Sequence, residues 1–256
     1  MRRRFFTDKF ENDRAFLRGE SAHHLSRVLR AEPGQLYELS DGNSVRLGGI
    51  VSATRDEIEF TLTDEIPCEP RPLNCTLFLS IVKFDRFEWA IEKATELGVN
   101  AIVPLASARS EGSLTSAAAK RTARWQKILV ESAQQSRRLR SPELKPIESP
   151  RDAFKKAGHV GNKESSANST VARILLSEKR EAPPLREILA KHVAIVSTEN
   201  MRAASLAIGP EGGWTDEEFA MAIAAGFSEA SLGQSILRTE TAVIAALASI
   251  NYALGD

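Results

Sequence analysis

The sequence predicts an α/β protein: a mostly parallel sheet with helices on both faces, preceded by a small antiparallel β-domain. Three observations carry this. Residues 1 to about 70 hold short alternating runs, "QLYELSDG", "VRLGGIVSAT" and "EIEFTLTDEI", separated by Gly, Asp and Asn turn signals. Beyond about residue 71 the pattern changes to apolar strands alternating with amphipathic helices. Between them "PCEPRPLN" places three prolines between positions 67 and 72, which reads as a linker or an edge connection. The predicted domains are therefore 1–70 and 71–256.

Within the first domain "SAHHLSRVLR" has a helical period, with Ser21 as candidate N-cap and an end near "EPGQ". In the second, strands are predicted at "CTLFLSIV", "AIVPLA", a weak "ELKPIE", "RILLSE", "SLAIG" and "ASLG". Helices are predicted near 86–97, 117–138, 150–157, 184–191, 215–226 and 239–254. The polar stretch "GHVGNKESSANST" at 158–170 is expected to be a flexible loop. Ligands of such sheets bind beyond the carboxyl ends of the strands.

Composition sets limits on function. Lys plus Arg and Asp plus Glu both number 34, so any attraction for nucleic acid must come from local patches. One such run lies between Lys120 and Lys145, with eight basic residues against Glu131 and Glu143; a solvated helix face is its simplest reading. Two cysteines, no signal segment and no 18-residue apolar run point to a cytosolic protein with reduced thiols and no membrane contact. His23, His24, His159 and His192 have no metal-ligand spacing with either cysteine, so no metal is expected.

The most informative stretch is "LAIGPEGGWTDEEF", residues 206–219. An apolar strand end runs through a glycine-rich turn into a helix opened by a Thr215–Glu218 capping box. Such turns often cradle phosphate. Here Glu211, Asp216, Glu217 and Glu218 surround the turn, and no Lys or Arg occurs between 203 and 237 to offset them, so a neutral, zwitterionic or cationic ligand is expected. Two further loops, "LLSEKR" at 175 and "LGQSILRTETA" at 232, should converge on the same sheet edge. The second sets Arg238, Thr239, Glu240 and Thr241 before the small-residue helix "AVIAALASINYAL". These four admit a structural reading too, with Thr239 or Thr241 as N-cap and Arg238 paired to Glu240.

"IGPEGGWTDEE" followed about twenty residues later by "LGQSILRTETA" resembles the RsmE family of knotted SPOUT methyltransferases. The resemblance extends through "RRRFF", "HHLSRVLR", "KFDRFEWAIEKATELGVNAIVPL", "ARS" and "WQKILVESAQQSRR" and so covers nearly the whole chain. It implies methylation of N3 of a uridine in 16S small-subunit ribosomal RNA, free or in the assembled 30S particle. It also implies a PUA-like N-terminal barrel, a C-terminal trefoil knot and a homodimer with active sites at the subunit interface. The implied methyl donor is S-adenosylmethionine, held by the three loops through Leu176, Ser177, Ile208, Gly209, Gly213, Leu232, Gly233, Ile236, Leu237, Thr241 and Ala242. A sulfonium cation suits the acidic turn. The chain departs from the family at Gln234 and Ser235, where Pro and Arg are common.

Methyl transfer needs the acceptor placed and its developing charge stabilised. Arg238 is the expected stabiliser of the uracil oxygens, and Glu211 or Glu240 the expected proton acceptor, with Glu211 alternatively orienting a backbone group or Arg238. Phosphate contacts are expected from Arg2, Arg3, Arg4, Arg27, Arg30, Lys83, Arg86, Arg109, Arg137 and Arg138, with Arg27 and Arg30 sharing one helical face. The rival readings are a non-catalytic RNA-binding assembly protein and a SPOUT enzyme acting on another base.

Overall fold

The computed structural model describes residues 3–28, 30–68, 73–163, 171–195 and 202–255. Arg2 and residues 69–72 of the expected linker lie outside the described residues. Contacts group the chain into two units, one formed by Met1–Pro70 with Val130–Ser141 and the other by Arg71–Leu129 with Pro142–Asp256.

The first unit contains β1 (Arg4–Phe6), β2 (Arg14–Arg18), α1 (Gly19–His23), β3 (Leu36–Ser40), β4 (Val45–Ala53) and β5 (Glu57–Glu65). They form one sheet in the order β1-β3-β4-β5-β2. Its pairs are antiparallel apart from β1, which runs parallel to β3. The edge strands are joined by the Thr7 hydroxyl, which donates to the Phe16 carbonyl at 2.9 Å and draws the two edges together. Alternating residues Phe5, Leu17, Leu39, Ile58, Phe60 and Leu62 fill the core, and Ala22 and Leu25 close it.

Two sequence expectations fail in this unit. Ser21 is not an N-cap: α1 opens after Arg18 with no side-chain cap and passes into a π-helical turn over His24–Val28. Arg27 and Arg30 do not share a helix face either, because the helix has ended before Arg30, which sits at φ +48°. A non-glycine residue in the left-handed region reverses the chain.

The buried charges are a larger correction. Arg4, expected on phosphate, is only 5% exposed and donates to Glu38 Oε2 at 2.9 and 3.1 Å through Nη2 and Nε. Its Nη1 donates to the Arg137 carbonyl. Arg137, at φ +54°, adds its own guanidinium 3.6 Å from Glu38. Arg138 is only 8% exposed and likewise unavailable to a phosphate. Arg3, Arg27 and Arg30 remain exposed.

The second unit continues with β6 (Leu73–Ser80), α2 (Phe84–Glu96), β7 (Ala101–Leu105), α3 (Gly112–Ala118), the first part of α4 (Thr122–Gln135), whose residues from Val130 onward belong to the first unit, β8 (Glu143–Leu144) and α5 (Pro150–Lys163). It ends with β9 (Val171–Leu176), α6 (Leu185–Ile195), β10 (Arg202–Ile208), α7 (Asp216–Ala224), β11 (Ser228–Ala230) and α8 (Thr239–Leu254). Its six strands are all parallel, in the order β11-β9-β10-β6-β7-β8. Strand alternation sorts the two faces. Leu73, Cys75, Leu77 and Leu79 pack beneath α2, α6 and α8 with Leu206 and Ile174, while Phe78, Ala207 and Leu175 face Phe154 of α5 and Ala222 of α7. Burial pushes the Cys75 thiol up to about 12, so it behaves as a core hydrophobe.

Two boundaries differ from expectation. The helix predicted over 117–138 is broken into α3, a 3₁₀ turn at Ala119–Arg121 and α4. The predicted loop at 158–170 is helical in its first part, since α5 runs to Lys163; residues 164–170 lie outside the described residues. Among the described residues no helix is long and apolar enough to cross a membrane.

Arg4→Ala should leave Glu38 buried beside fewer cationic partners and lower the unfolding free energy by about 3–5 kcal/mol. Urea melts read this directly, and an unchanged midpoint would show the pair to be dispensable.

Candidate functional site: a cavity under three loops

A cavity of about 490 Å³ opens beyond the carboxyl ends of β9, β10 and β11, where ligands of open α/β sheets collect. The first loop contributes Leu176, Ser177, Glu178 and Lys179; the second contributes Ile208, Gly209, Pro210, Glu211, Gly213 and Trp214. The third runs from Leu232 and Gly233 through Ile236 and Leu237 to Arg238, and α8 adds Thr239 and Ala242. Thus the three loops read from the sequence do converge. Thr241, expected among them, is exposed on α8 and does not line the cavity.

The second loop is built as a tight turn. The Gly213 amide donates to the Pro210 carbonyl at 2.8 Å, and Gly213 adopts φ +70°. A side chain there would be strained, and its Cβ would stand 3.0 Å from Glu178 Oε1. At Gly209 a Cβ would stand 3.1 Å from the Trp214 indole. That indole is the residue sequence reasoning missed. Its Nε1 donates to the Leu176 carbonyl at 3.0 Å, tying the first loop to the second, and its ring meets Phe154 edge-on at 5.7 Å. A large aromatic directly after a glycine pair was the available signal.

The Thr215–Glu218 capping box is present in both directions. Glu218 does more than cap. Its Oε2 accepts from the Thr215 amide at 3.0 Å, and its Oε1 accepts from the Ala108 amide at 2.8 Å, on the loop after β7. The next residue on that loop, Arg109, donates from Nη1 to the Gly212 and Trp214 carbonyls at 2.9 and 3.1 Å. Arg109, expected on RNA phosphate, is therefore the strut of the glycine turn and lines the cavity.

These contacts correct the electrostatic reading of the turn. Glu211 pairs with Arg86 of α2, which was itself expected on phosphate. Glu217 pairs with Arg151 of α5 at 2.7 Å, and Glu218 is held as described. Of the four acids only Asp216 is left lining the cavity without a cationic partner among the described residues. Arg86 and Arg109, distant in sequence, supply the counter-charge that residues 203–237 lack.

Arg238 lines the cavity, is exposed, and among the described residues its side chain makes no hydrogen bond or ion pair. The Arg238–Glu240 pair is thus not formed. Nor does Thr239 or Thr241 cap α8, whose N-cap position is Arg238 itself, without a side-chain bond. Glu240 is only 7% exposed, does not line the cavity, and its Oε2 has no hydrogen-bond partner among the described residues. That placement removes it as a proton acceptor in the cavity. Lys83 is exposed just before α2 and outside the cavity lining. Among the described residues no three His, Cys, Asp or Glu side chains form a metal-binding group.

A glycine-walled cavity at the loop ends of a parallel α/β sheet suits a small cofactor beside a larger substrate. The model of the RNA methyltransferase domain matches residues 69–251, which include every element lining the cavity, and the chain belongs to that class. More particularly, it is a member of the ribosomal RNA small subunit methyltransferase E family. It is 35% identical over 237 residues to the Synechocystis protein of that name, covering 91% of this chain and 71% of the relative. Identity to the Bacillus subtilis protein is 30%, covering 91% and 88%. The crystal structure of the Neisseria gonorrhoeae enzyme bound to S-adenosyl methionine superposes with a TM-score of 0.80 at 31% identity, covering 98% of both chains.

Glu218→Ala removes the reciprocal half of the capping box and the link to Ala108 together, while the Thr215 hydroxyl still accepts from the amide of residue 218. It should cost about 2 kcal/mol of stability, with Glu218→Gln losing less because a capping box accepts Gln. Paired thermal melts of the two variants check this order.

Proposed function

We propose that this protein transfers a methyl group from S-adenosylmethionine to N3 of a uridine in 16S small-subunit ribosomal RNA. The observation that carries the reading is the cavity under three loops in a chain of this family. The relative solved with S-adenosyl methionine matches this chain over nearly its whole length. The residues present fit such a donor: Gly209 and Gly213 leave the space that a Cβ would fill, and Leu176, Ile208, Leu232, Ile236, Leu237 and Ala242 offer apolar and backbone contacts to an adenosine. When bound, the donor supplies an electrophilic methyl on a sulfonium. Ser177 and Gly233 complete the loop edges around it.

The acceptor side is built from three cavity side chains. Arg238, unpaired and exposed to the cavity, stabilises negative charge on the uracil oxygens as the N3 proton leaves, for which its planar fork is suited. Glu211 accepts that proton, with Arg86 holding the carboxylate in place. N3 lies on the Watson–Crick edge, so the target uridine must be unpaired when it enters.

The remaining family features are proposed on the same footing. The N-terminal domain, about residues 1–70, is read as a PUA-like RNA-binding barrel that uses Arg3, Arg27 and Arg30; residues 71–256 are read as the knotted catalytic domain. The cell compartment is the cytoplasm, where ribosomal RNA or the 30S particle is met. A homodimer is supported by α8, which carries no charged side chain after Glu240. Its Thr241, Ala248 and Tyr252 are exposed, Tyr252 by 89%, and Ile236 nearby in sequence by 80%. A helix packed only on its own sheet should turn a polar face outward.

Mass spectrometry of 16S ribosomal RNA from a deletion strain should show the loss of one 3-methyluridine; loss of a different modified base would overturn the N3 assignment. Arg238→Ala should bind the donor with little change and lower single-turnover rates by about 10²–10³. Near-normal turnover would remove Arg238 from the chemistry. Ala246 is fully buried, so a bulky charge there would disrupt the fold and would not report on association. Ala248→Arg, on the exposed face, should instead yield folded monomers in sedimentation experiments.

A further inference from the structure

The turns that lead into α2 and α4 carry cations that neither the cavity nor the core uses. Lys83, Lys120 and Arg124 are exposed, and among the described residues the side chains of Lys83 and Lys120 have no partner. Between Gly112 and Val130 the sequence contains no acid, so the basic residues of this stretch are not a helix's own mixed-charge solvent face.

Beside these two lysines, Arg121 and Arg124 are held in place. The Arg121 guanidinium lies 4.7 Å over the Phe84 ring; Phe84 meets Trp125 edge-on at 6.1 Å, and Trp125 meets Phe87 at 4.4 Å. This aromatic column joins α4 to the first turn of α2. Glu88 accepts from Arg124 Nε at 2.7 Å and stands 3.7 Å from Arg121. One carboxylate shared by two guanidiniums fixes both and leaves net positive charge with unused N–H donors. The same turn of α2 reaches the cavity, because Arg86 lies between Lys83 and Glu88 and pairs with Glu211.

We propose that this face, Lys83, Lys120, Arg121 and Arg124, binds phosphates of the substrate RNA that flank the nucleotide held in the cavity. The inference rests on the RNA-methylating reading above and adds the surface that grips the strand. RNA is a polyanion whose phosphates are met by Lys and by the planar fork of Arg, and side chains already fixed by aromatic and carboxylate contacts lose little freedom on binding. A basic face starting within one helical turn of the cavity sets the register of the strand while contributing nothing to the transfer itself.

The test is Lys83→Gln/Lys120→Gln, in which neither replaced side chain has a hydrogen-bond or ion-pair partner among the described residues, compared with Arg124→Lys and the wild type. Binding of a small-subunit ribosomal RNA transcript is titrated at several salt concentrations, alongside KM for RNA, kcat and donor affinity. Loss of two phosphate contacts should flatten the plot of log K against log salt by about two units. KM for RNA should rise while kcat at saturating RNA and donor affinity are kept, and Arg124→Lys should raise KM without changing the slope. An unchanged slope and KM in the folded double variant would overturn the proposal, as would a loss of RNA binding that follows a change from dimer to monomer. A protein that binds the transcript as expected yet methylates another base would keep this surface and overturn only the N3 assignment.

Discussion

The site depends on one carboxylate. Glu218 belongs to the helix after the glycine turn, yet its two oxygens serve separate segments: Oε2 closes the capping box on Thr215 and Oε1 takes the amide of Ala108 on a loop more than a hundred residues earlier. From that anchor Arg109 reaches two carbonyls of the turn, and Trp214 reaches the carbonyl of Leu176. The turn, the loop after β7 and the loop after β9 are thereby locked to one another. A cavity walled by glycines would otherwise be soft, since glycine leaves the backbone its greatest freedom. Preorganisation of this kind is what keeps a transfer site from reorganising during the reaction.

The same lock changes the electrostatics of the turn. Four acids between positions 211 and 218 without a nearby cation in the sequence suggest a negative basin, but three of them are committed to contacts: Glu211 with Arg86, Glu217 with Arg151, Glu218 with two amides. What remains is a mixed-charge rim of Asp216, Glu178, Lys179 and Arg238 around an apolar and glycine-rich interior. The case for a sulfonium donor therefore lies in the shape of the cavity and in family membership more than in net charge.

Arginines divide by environment in a way no local pattern records. Arg4 and Arg138 are buried, Arg109 is a backbone strut, Arg86 pairs with an acid, Arg238 stands unpaired in the cavity and Arg27 is exposed. In the sequence all six are merely basic residues near plausible RNA-facing segments. Glu240 shows the reverse error: its place within a motif suggests chemistry, while its first-turn position on α8 buries it away from the cavity.

The sequence by itself determined what depends on near neighbours. The period-2 strands, the capping box at Thr215, the glycine-rich turn before it and the convergence of loops at 175, 208 and 232 all follow from local sterics, hydrogen bonding and the rule that parallel strands share a carboxyl edge. Strand order, the burial of Arg4 against Glu38, the pairing of Glu211 with Arg86 and the reach of Glu218 to Ala108 were decided only by the tertiary structure. Each joins residues separated by tens of positions or more. Whether a charge is paired, buried or free depends on which distant segment the fold brings beside it, and that is settled only when the sheet and its helices pack.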